Sequence, residues 1–180
     1  YDSTRRNLWV LSGTRAGNTR VRLGDGPAVP LGRWDFPNGI PESKVTSIHG
    51  DGDRVIVGTE LERSQANYFD AVARAFNADG TTKSYLESEL NSGLINDVCY
   101  DHPRGTTWFA TANRVLKYDQ AGRLQTFDDG THLGTREVLS VHIDASGQVF
   151  AGTEGAGLRS FFSEAPGSSD SRWDTALDGQ

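Results

Sequence analysis

One structural unit is repeated along this chain of 180 residues. The unit has an apolar strand pattern that ends in Asp, then a short turn, then a second apolar stretch that ends in Gly-Thr or Ala-Thr. Its three clearest copies begin at Val45, Ile95 and Val138, so the period is about 40 to 50 residues. A fourth, shortened copy stands at the start, where 8–14 (LWVLSGT) match the second stretch. Such a period is typical of supersecondary units that stack on one another.

Each copy predicts four short β-strands. In the third copy these are 95–101, 106–111, 114–119 and 123–127, because apolar residues alternate there and Gly or Asp residues separate the runs. Four-stranded antiparallel units of this length are the blades of a β-propeller, so the predicted fold class is all-β. We expect a single propeller segment with four blades: 1–40, which lacks most of its innermost strand, 41–94 with an insertion at 60–70, 95–137, and 138–180.

The second copy contains an ambiguous segment. Leu61, Tyr68, Val72 and Phe76 stand near a helical spacing, which favours a short helix. However, 77–80 (NADG) match the turn at 119–122 (DQAG) of the next copy. We therefore predict an irregular excursion followed by a strand over 71–77.

Composition sets limits on partners. The formal net charge is −6, and the sequence has no Lys/Arg stripe of the kind that nucleic-acid backbones require, so no nucleic-acid partner is expected. No apolar run approaches the roughly 18 residues of a membrane span, so we expect no membrane insertion. The single cysteine, Cys99, leaves the redox compartment open. The chain contains no methionine and opens within a repeat, from which we expect it to be part of a larger propeller or assembly.

Candidate metal ligands fall on repeat positions. His49, Cys99 and His142 occupy the same place in three copies, where neighbouring sheets stand about 10 Å apart, so we assign them to packing. Acidic turns at 51–53, 128–130 and 25–26 offer oxygen ligands for calcium, but Asp-Gly pairs are also common turn residues. We predict no cofactor, with calcium as the alternative.

Enzyme motifs are not apparent. The glycine-rich run at 152–157 (GTEGAG) lacks the Lys-Ser/Thr of a phosphate loop. Serines, four histidines and many carboxylates are present, but no Gly-x-Ser-x-Gly or comparable motif groups them into a catalytic set. The expected role is non-catalytic, although a lyase or hydrolase site assembled from scattered loops stays open as an alternative.

Aromatic residues also follow the repeat. Trp9, Trp108 and Phe150 share a position on the second strand and predict core between blades. Trp34 and Trp173 recur in RWD on the fourth strand, where a structural role is favoured over sugar stacking.

The run at 138–161 resembles the two-component-regulator propeller repeat. The matching features are Val138 and Val141, Asp144, Gly147, the stretch 150–153 (FAGT), and Gly157-Leu158 with Phe161. The copy at 95–118 departs from this pattern at Ala110, where the family prefers Gly. The resemblance implies the extracytoplasmic ligand-sensing part of a bacterial sensor protein, placed in the periplasm, secreted or on the surface, with propellers of about seven blades.

Function is expected at one end of the blades. Propeller geometry places the turns between second and third strands on the same side as the loops between blades. We call this side the loop face and predict that it binds a ligand or a protein partner. The expected partners of the chain are a protein or further propeller blades, with a small molecule or an oligosaccharide as the other candidates. An alternative is a structural subunit whose missing strand is completed by a partner. The predicted loop-face residues are Arg15, Asn18, Asn38, Lys44, Glu60, Arg63, Asn91, Asn113, Arg114, Arg136 and Glu154.

Overall fold

The computed structural model describes residues 7–10, 18–22, 29–34, 44–51, 54–60, 71–77, 81–90, 92, 94–128, 133, 137–162 and 172–175. These residues form β-strands with one short helix, as the repeat pattern predicts for an all-β chain. The chain divides into two compact units, Tyr1–Leu94 and Ile95–Gln180. Each unit is described by itself below.

The first unit contains two antiparallel sheets. The first sheet has the order β1-β2-β3 and the second the order β4-β5-β6-β7, each strand pairing with its neighbour in sequence. The predicted innermost strand of the first copy falls on Tyr1 and Asp2, outside the described residues. The strands are β1 (Asn7–Val10), β2 (Asn18–Arg22), β3 (Val29–Trp34), β4 (Lys44–Asp51), β5 (Arg54–Glu60), β6 (Ala71–Asn77) and β7 (Thr82–Leu86).

The second unit contains two four-stranded antiparallel sheets. Their orders are β8-β9-β10-β11 and β12-β13-β14-β15, so the predicted four-stranded antiparallel repeat is confirmed here. The strands are β8 (Ile95–Asp101), β9 (Thr106–Thr111), β10 (Val115–Tyr118), β11 (Leu124–Phe127), β12 (Val138–Ile143), β13 (Val149–Thr153), β14 (Gly157–Phe162) and β15 (Arg172–Thr175).

The first strand of each four-stranded sheet is irregular at the same repeat position. The register shifts between Val45 and Ser47 in β4, between Ile95 and Asp97 in β8, and between Val138 and Ser140 in β12. A β-bulge bends its strand and redirects one side chain. The three copies therefore agree in backbone irregularity as well as in sequence.

The core of the second unit lies between its two sheets. Four aromatic side chains meet there: Trp108 stacks on Phe127 with ring centroids 5.9 Å apart, and Phe161 and Trp173 lie 5.3 Å from each other. Trp108 and Trp173 are almost fully buried, as their predicted structural roles require. Offset and edge-to-face contacts of this kind add to the free energy gained from burial.

Cys99 lies in the same core. Burial raises the pKa of its thiol far above the ordinary value, and the carboxylates of Asp97 and Asp101 raise it further. A thiol in this setting is a poor nucleophile, because the thiolate is the reactive form.

The ambiguous segment of the second copy is resolved in favour of a strand. β6 begins at Ala71 and ends at Asn77, as predicted, while 61–70 lie outside the described residues. One element was not predicted: α1 (Glu87–Leu90) is a single helical turn where the sequence indicated a loop, and it buries Leu90. No helix in the described part of the chain has the length and apolar character needed to cross a membrane.

Candidate functional site

Two turns of the second unit form the described part of its loop face. The first joins β9 to β10, and the second joins β13 to β14. Together with the residue that precedes β12, they bring forward Asn113, Arg114, Glu137 and Glu154. Asn113 and Glu154 are exposed, and Arg114 and Glu137 are partly buried.

The β9–β10 turn is closed by a threonine. Both the backbone N–H and the Oγ1 hydroxyl of Thr111 donate to the carbonyl oxygen of Arg114, at 3.0 Å each. Nε of Arg114 donates to Oδ1 of Asn113 at 2.9 Å. A guanidinium carries five N–H donors, so this bond uses only one of them. The turn thus fixes the backbone and groups an amide with a guanidinium.

The β13–β14 turn is closed in the same way. The Oγ1 hydroxyl of Thr153 donates to the carbonyl oxygen of Gly157 at 2.6 Å. The backbone N–H of Glu154 donates to the carbonyl oxygen of Glu137 at 2.9 Å. The turn between second and third strands therefore lies beside the segment that enters the sheet, as propeller geometry predicts.

Asn96 and Asp97 connect the two sheets of the second unit. Nδ2 of Asn96 donates to the carbonyl oxygen of Val138 at 2.8 Å, and lies 3.5 Å from Oε1 of Glu137. The carboxylate of Asp97 accepts the backbone N–H of Val141 at 3.0 Å. The beginnings of β8 and β12 are thereby held at one end, and both turns open on that end.

We did not predict this connection from the sequence. Two adjacent polar residues, Asn96 and Asp97, interrupt an apolar strand at the bulge, and this interruption could have marked them as residues with a special role. What the pattern could not supply was the neighbouring strand to which they bond.

The other predicted loop-face residues are placed as follows. In the first unit, Glu60 ends β5, is paired in register with Lys44, and forms an isolated bridge with Leu94. Asn18 is the first residue of β2. The remaining five lie outside the described residues: Arg15, Asn38, Arg63, Asn91 and Arg136.

The repeated aspartates cap turns. Asp101 accepts the backbone N–H of Arg104 at 3.4 Å and its Nη1 at 2.9 Å. Oδ1 of Asp144 accepts the backbone N–H groups of Ser146 and Gln148 at 2.8 and 2.9 Å. These two carboxylates thus stabilise the turns that follow β8 and β12 by accepting backbone N–H groups.

The candidate metal ligands of the second unit do not converge. Cys99 is buried between the sheets, whereas His142 is exposed on the opposite side of the β12–β15 sheet. Among the described residues, no three His, Cys, Asp or Glu side chains are grouped as a metal site would require. Most of the proposed calcium turns, including 25–26, 52–53 and 129–130, lie outside the described part, so calcium stays a prediction.

A cleft of about 500 Å³ opens at the other end of the second unit. Two ion pairs border it: Arg104 Nη1 with Asp101 Oδ2 at 2.9 Å, and Arg123 Nε with Asp119 Oδ2 at 2.7 Å. The backbone N–H of Arg123 is the largest cause that holds the pKa of Asp119 below its usual range. Both arginines form ion pairs with carboxylates of their own turns, so their positive charges are partly neutralised at the cleft.

Comparison with known proteins identifies the fold. No protein-family model and no curated protein matches the chain. Among solved structures, the extracellular domain of the hybrid two-component system BT3049 from B. thetaiotaomicron superposes with a TM-score of 0.66 at 21% identity, over 89% of this chain and 20% of that chain. A streptogramin B lyase superposes with a TM-score of 0.67 at 12% identity, over 96% of this chain and 51% of that one.

A second lyase gives a similar result. Virginiamycin B lyase from Staphylococcus aureus, crystallised with quinupristin, has a TM-score of 0.63 at 14% identity, over 89% of this chain and 50% of the lyase. At these identities the likeness shows the fold alone. The chain spans about a fifth of the extracellular sensor domain and half of each lyase. The resemblance to two-component sensor domains is thus confirmed as a shared, propeller-like fold.

Proposed function

We propose, from the fold that this chain shares with extracellular sensor domains, that it is a non-catalytic recognition module of a bacterial protein that acts outside the cytoplasm. It binds a polar ligand or a protein partner through its loop face. Fold alone does not determine function, so the proposal depends on the site. The lyases share only the fold, at 12–14% identity, and this likeness is too distant to favour a lyase activity for this chain.

The observation that carries the proposal is the contrast between frame and turns. Thr111 and Thr153 fix the two turns by hydrogen bonds to backbone carbonyls, while the turns present exposed polar side chains. Loops that a rigid frame holds in place are common sites of recognition, because little conformational entropy is lost on binding.

The side chains define the ligand chemistry. Asn113 and Arg114 supply an amide and a guanidinium, and Glu137 and Glu154 supply carboxylate acceptors. Donors and acceptors at the same end of the blades suit a ligand rich in hydroxyl groups, and an oligosaccharide is the small ligand that we favour. The same groups also suit the polar rim of a protein interface.

The test is a screen followed by a matched pair of variants. A panel of neutral and acidic oligosaccharides is screened by thermal shift, and the affinity of any hit is measured by calorimetry. Asn113→Ala combined with Arg114→Ala should weaken binding about tenfold or more, since each lost hydrogen bond to a charged group contributes about 1.5 to 3 kcal/mol. Gln120→Ala combined with Arg123→Ala, at the opposite end, should leave the affinity unchanged. Equal affinities for both double variants would remove the loop face from consideration.

A second candidate function follows from the first sheet. Its described part has three strands, whereas each of the other sheets has four. An edge strand such as β1 can pair with a strand from another chain, which would make the protein a subunit of a larger assembly. Light scattering after gel filtration tests this: a discrete oligomer that Val10→Pro dissociates supports strand addition at β1, and a stable monomer rejects it.

A further inference from the structure

We propose that the cleft at the end opposite the loop face is a binding site for a small anionic ligand with two or more acidic groups. Its volume of about 500 Å³ lies within the range of roughly 300 to 1,000 Å³ that is usual for small-molecule sites. Arg104, Gln120 and Arg123 line it together with Asp119. Both the place and the ligand differ from those of the loop face, so the inference does not depend on the proposed function.

Two turns of one sheet meet at this cleft. In the order β8-β9-β10-β11, the β8–β9 and β10–β11 turns leave the sheet at the same end. The side chain of Gln120 lies over Gly105, where a Cβ would stand 3.3 Å from both Cβ and Cδ of Gln120. Gly105 has a φ of 62°, in the left-handed region that favours glycine. The second turn thus packs directly on the first, which gives the cleft a fixed wall.

Each arginine of the cleft is more exposed than the carboxylate that it pairs with. The side chain of Arg104 is 55% exposed and that of Asp101 only 4%. The side chain of Arg123 is 83% exposed and that of Asp119 only 23%. A charge acts most strongly on the groups nearest to it, so the exposed member of a pair has the larger effect on a ligand. Each pair is neutral as a whole, but its positive end faces the solvent.

The two carboxylates are also more fully bonded than the two guanidiniums. Asp101 accepts the backbone N–H and Nη1 of Arg104 with its two oxygens, at 3.4 and 2.9 Å. Asp119 accepts the backbone N–H and Nε of Arg123 in the same way, at 2.8 and 2.7 Å. A guanidinium carries five N–H donors, and within the described residues these bonds occupy only one nitrogen of each. The remaining donors can form paired hydrogen bonds with an acidic group.

The guanidinium groups are held in place before a ligand arrives. That of Arg104 lies against Gly147 of the β12–β13 turn, at the point that a Cβ would occupy. That of Arg123 is held by the short bond to Asp119. Fixing a long side chain costs conformational entropy, and here part of that cost is met on folding. Binding should therefore require little rearrangement of the cleft.

These groups define the class of ligand. Two guanidiniums on one cleft suit two acidic groups, which are either carboxylates or phosphates because both match the guanidinium fork. The amide of Gln120 can bond to a neutral oxygen between them. The chain has a formal net charge of −6, which opposes a general attraction of anions. Binding of such a ligand would accordingly depend on these local contacts.

Calorimetry with citrate and with pyrophosphate, at one pH and one ionic strength, tests the proposal and separates the two chemistries. At least one probe should bind, and Arg123→Gln should weaken its affinity about tenfold or more, because charge-assisted hydrogen bonds are lost. Arg104→Lys keeps a positive charge beside Asp101 but removes the planar fork, and should also weaken binding. Asn113→Ala combined with Arg114→Ala, on the loop face, is the control and should leave the affinity unchanged.

Thermal unfolding shows that each variant is folded, and Arg123→Gln suffices if Arg104→Lys is not, since the Arg123 side chain is largely exposed. Absence of binding by both probes overturns the inference. Binding that Arg123→Gln leaves unchanged also overturns it, and loss of binding in the loop-face variant alone would place the anion at the loop face. The oligosaccharide site is decided by a different ligand, so the two proposals succeed or fail separately.

Discussion

At the scale of single residues, Asp97 links two strands that are far apart in sequence. Its Oδ1 accepts the backbone N–H of Val98 at 2.9 Å, and its Oδ2 accepts that of Val141 at 3.0 Å. Val141 is buried, so its N–H has no easy access to water. One carboxylate therefore both supports the bulge of β8 and holds β12 in position. Ser140, the equivalent residue of the next copy, is exposed.

Asp97→Ala should lower the free energy of unfolding by about 2 kcal/mol, because it leaves a buried N–H without an acceptor. Ser140→Ala is the matched control and should change it by less than about 0.5 kcal/mol. Urea unfolding followed by tryptophan fluorescence measures both. Similar values for the two variants would contradict the role given to Asp97.

Asp144 makes stability depend on acid. Hydrogen bonds from the Ser146 hydroxyl and from the backbone N–H of Gln148 hold its pKa below the usual range. A carboxyl whose pKa is lower in the folded state stabilises the fold above its unfolded pKa, about 3.9, and loses that effect as the pH falls through the folded value.

We therefore expect Asp144→Asn to lose less stability than the wild type when the pH falls from about 5 to 2. Asn keeps an acceptor oxygen but has no charge to titrate. Thermal unfolding across this pH range measures the difference. Parallel curves for the two proteins would show that Asp144 does not contribute to the acid dependence.

At the scale of elements, the turn between β12 and β13 depends on one glycine. Gly147 has a φ of 85°, in the left-handed region that favours glycine, and the Arg104 guanidinium lies where a Cβ would stand. Gly155, in the next turn, has a similar φ of 81° but open space at the same point. A substitution at Gly155 therefore reports backbone strain alone, whereas one at Gly147 reports strain together with a side-chain clash.

Gly155→Ala should cost about 1 kcal/mol of folding free energy from strain alone. Gly147→Ala should cost more, since the Arg104 guanidinium must also move away from its bond to Asp101. The excess should vanish when Arg104→Ala is added. Chemical unfolding of the three variants tests this, and an excess that persists without the Arg104 side chain would contradict it.

The strands themselves were largely predictable from sequence. Alternating apolar residues with Gly and Asp between them placed β8 and β9 at their observed limits. β6 was located by repeat alignment, although the spacing of nearby apolar residues suggested a helix. We did not predict α1, because four residues are too few to show a helical period. The burial of Leu90, the last residue of this turn, depends on the packing of the fold and is not visible in the local sequence pattern.

At the scale of the molecule, repetition predicted sheets that stack, and the core of the second unit shows one such interface. It also assigned Trp108 and Trp173 correctly to structure. Sequence could not reveal that Cys99 and His142 lie on opposite sides of a sheet, one covered and one exposed. Nor could it reveal the cleft beside Arg104 and Arg123. The first feature depends on which sheet faces pack together and the second on which turns meet in space, and local patterns carry no such information.

The proposed recognition site lies at one end of this repeated frame. Hydrogen–deuterium exchange of the chain, with and without a bound oligosaccharide from the screen, locates the ligand. Binding at the loop face should slow exchange at 111–114, 137–138 and 153–157, with no change at 101–106 and 119–123. Protection that appears instead at 101–106 and 119–123 would contradict it, because the ligand would then occupy the opposite end of the blades.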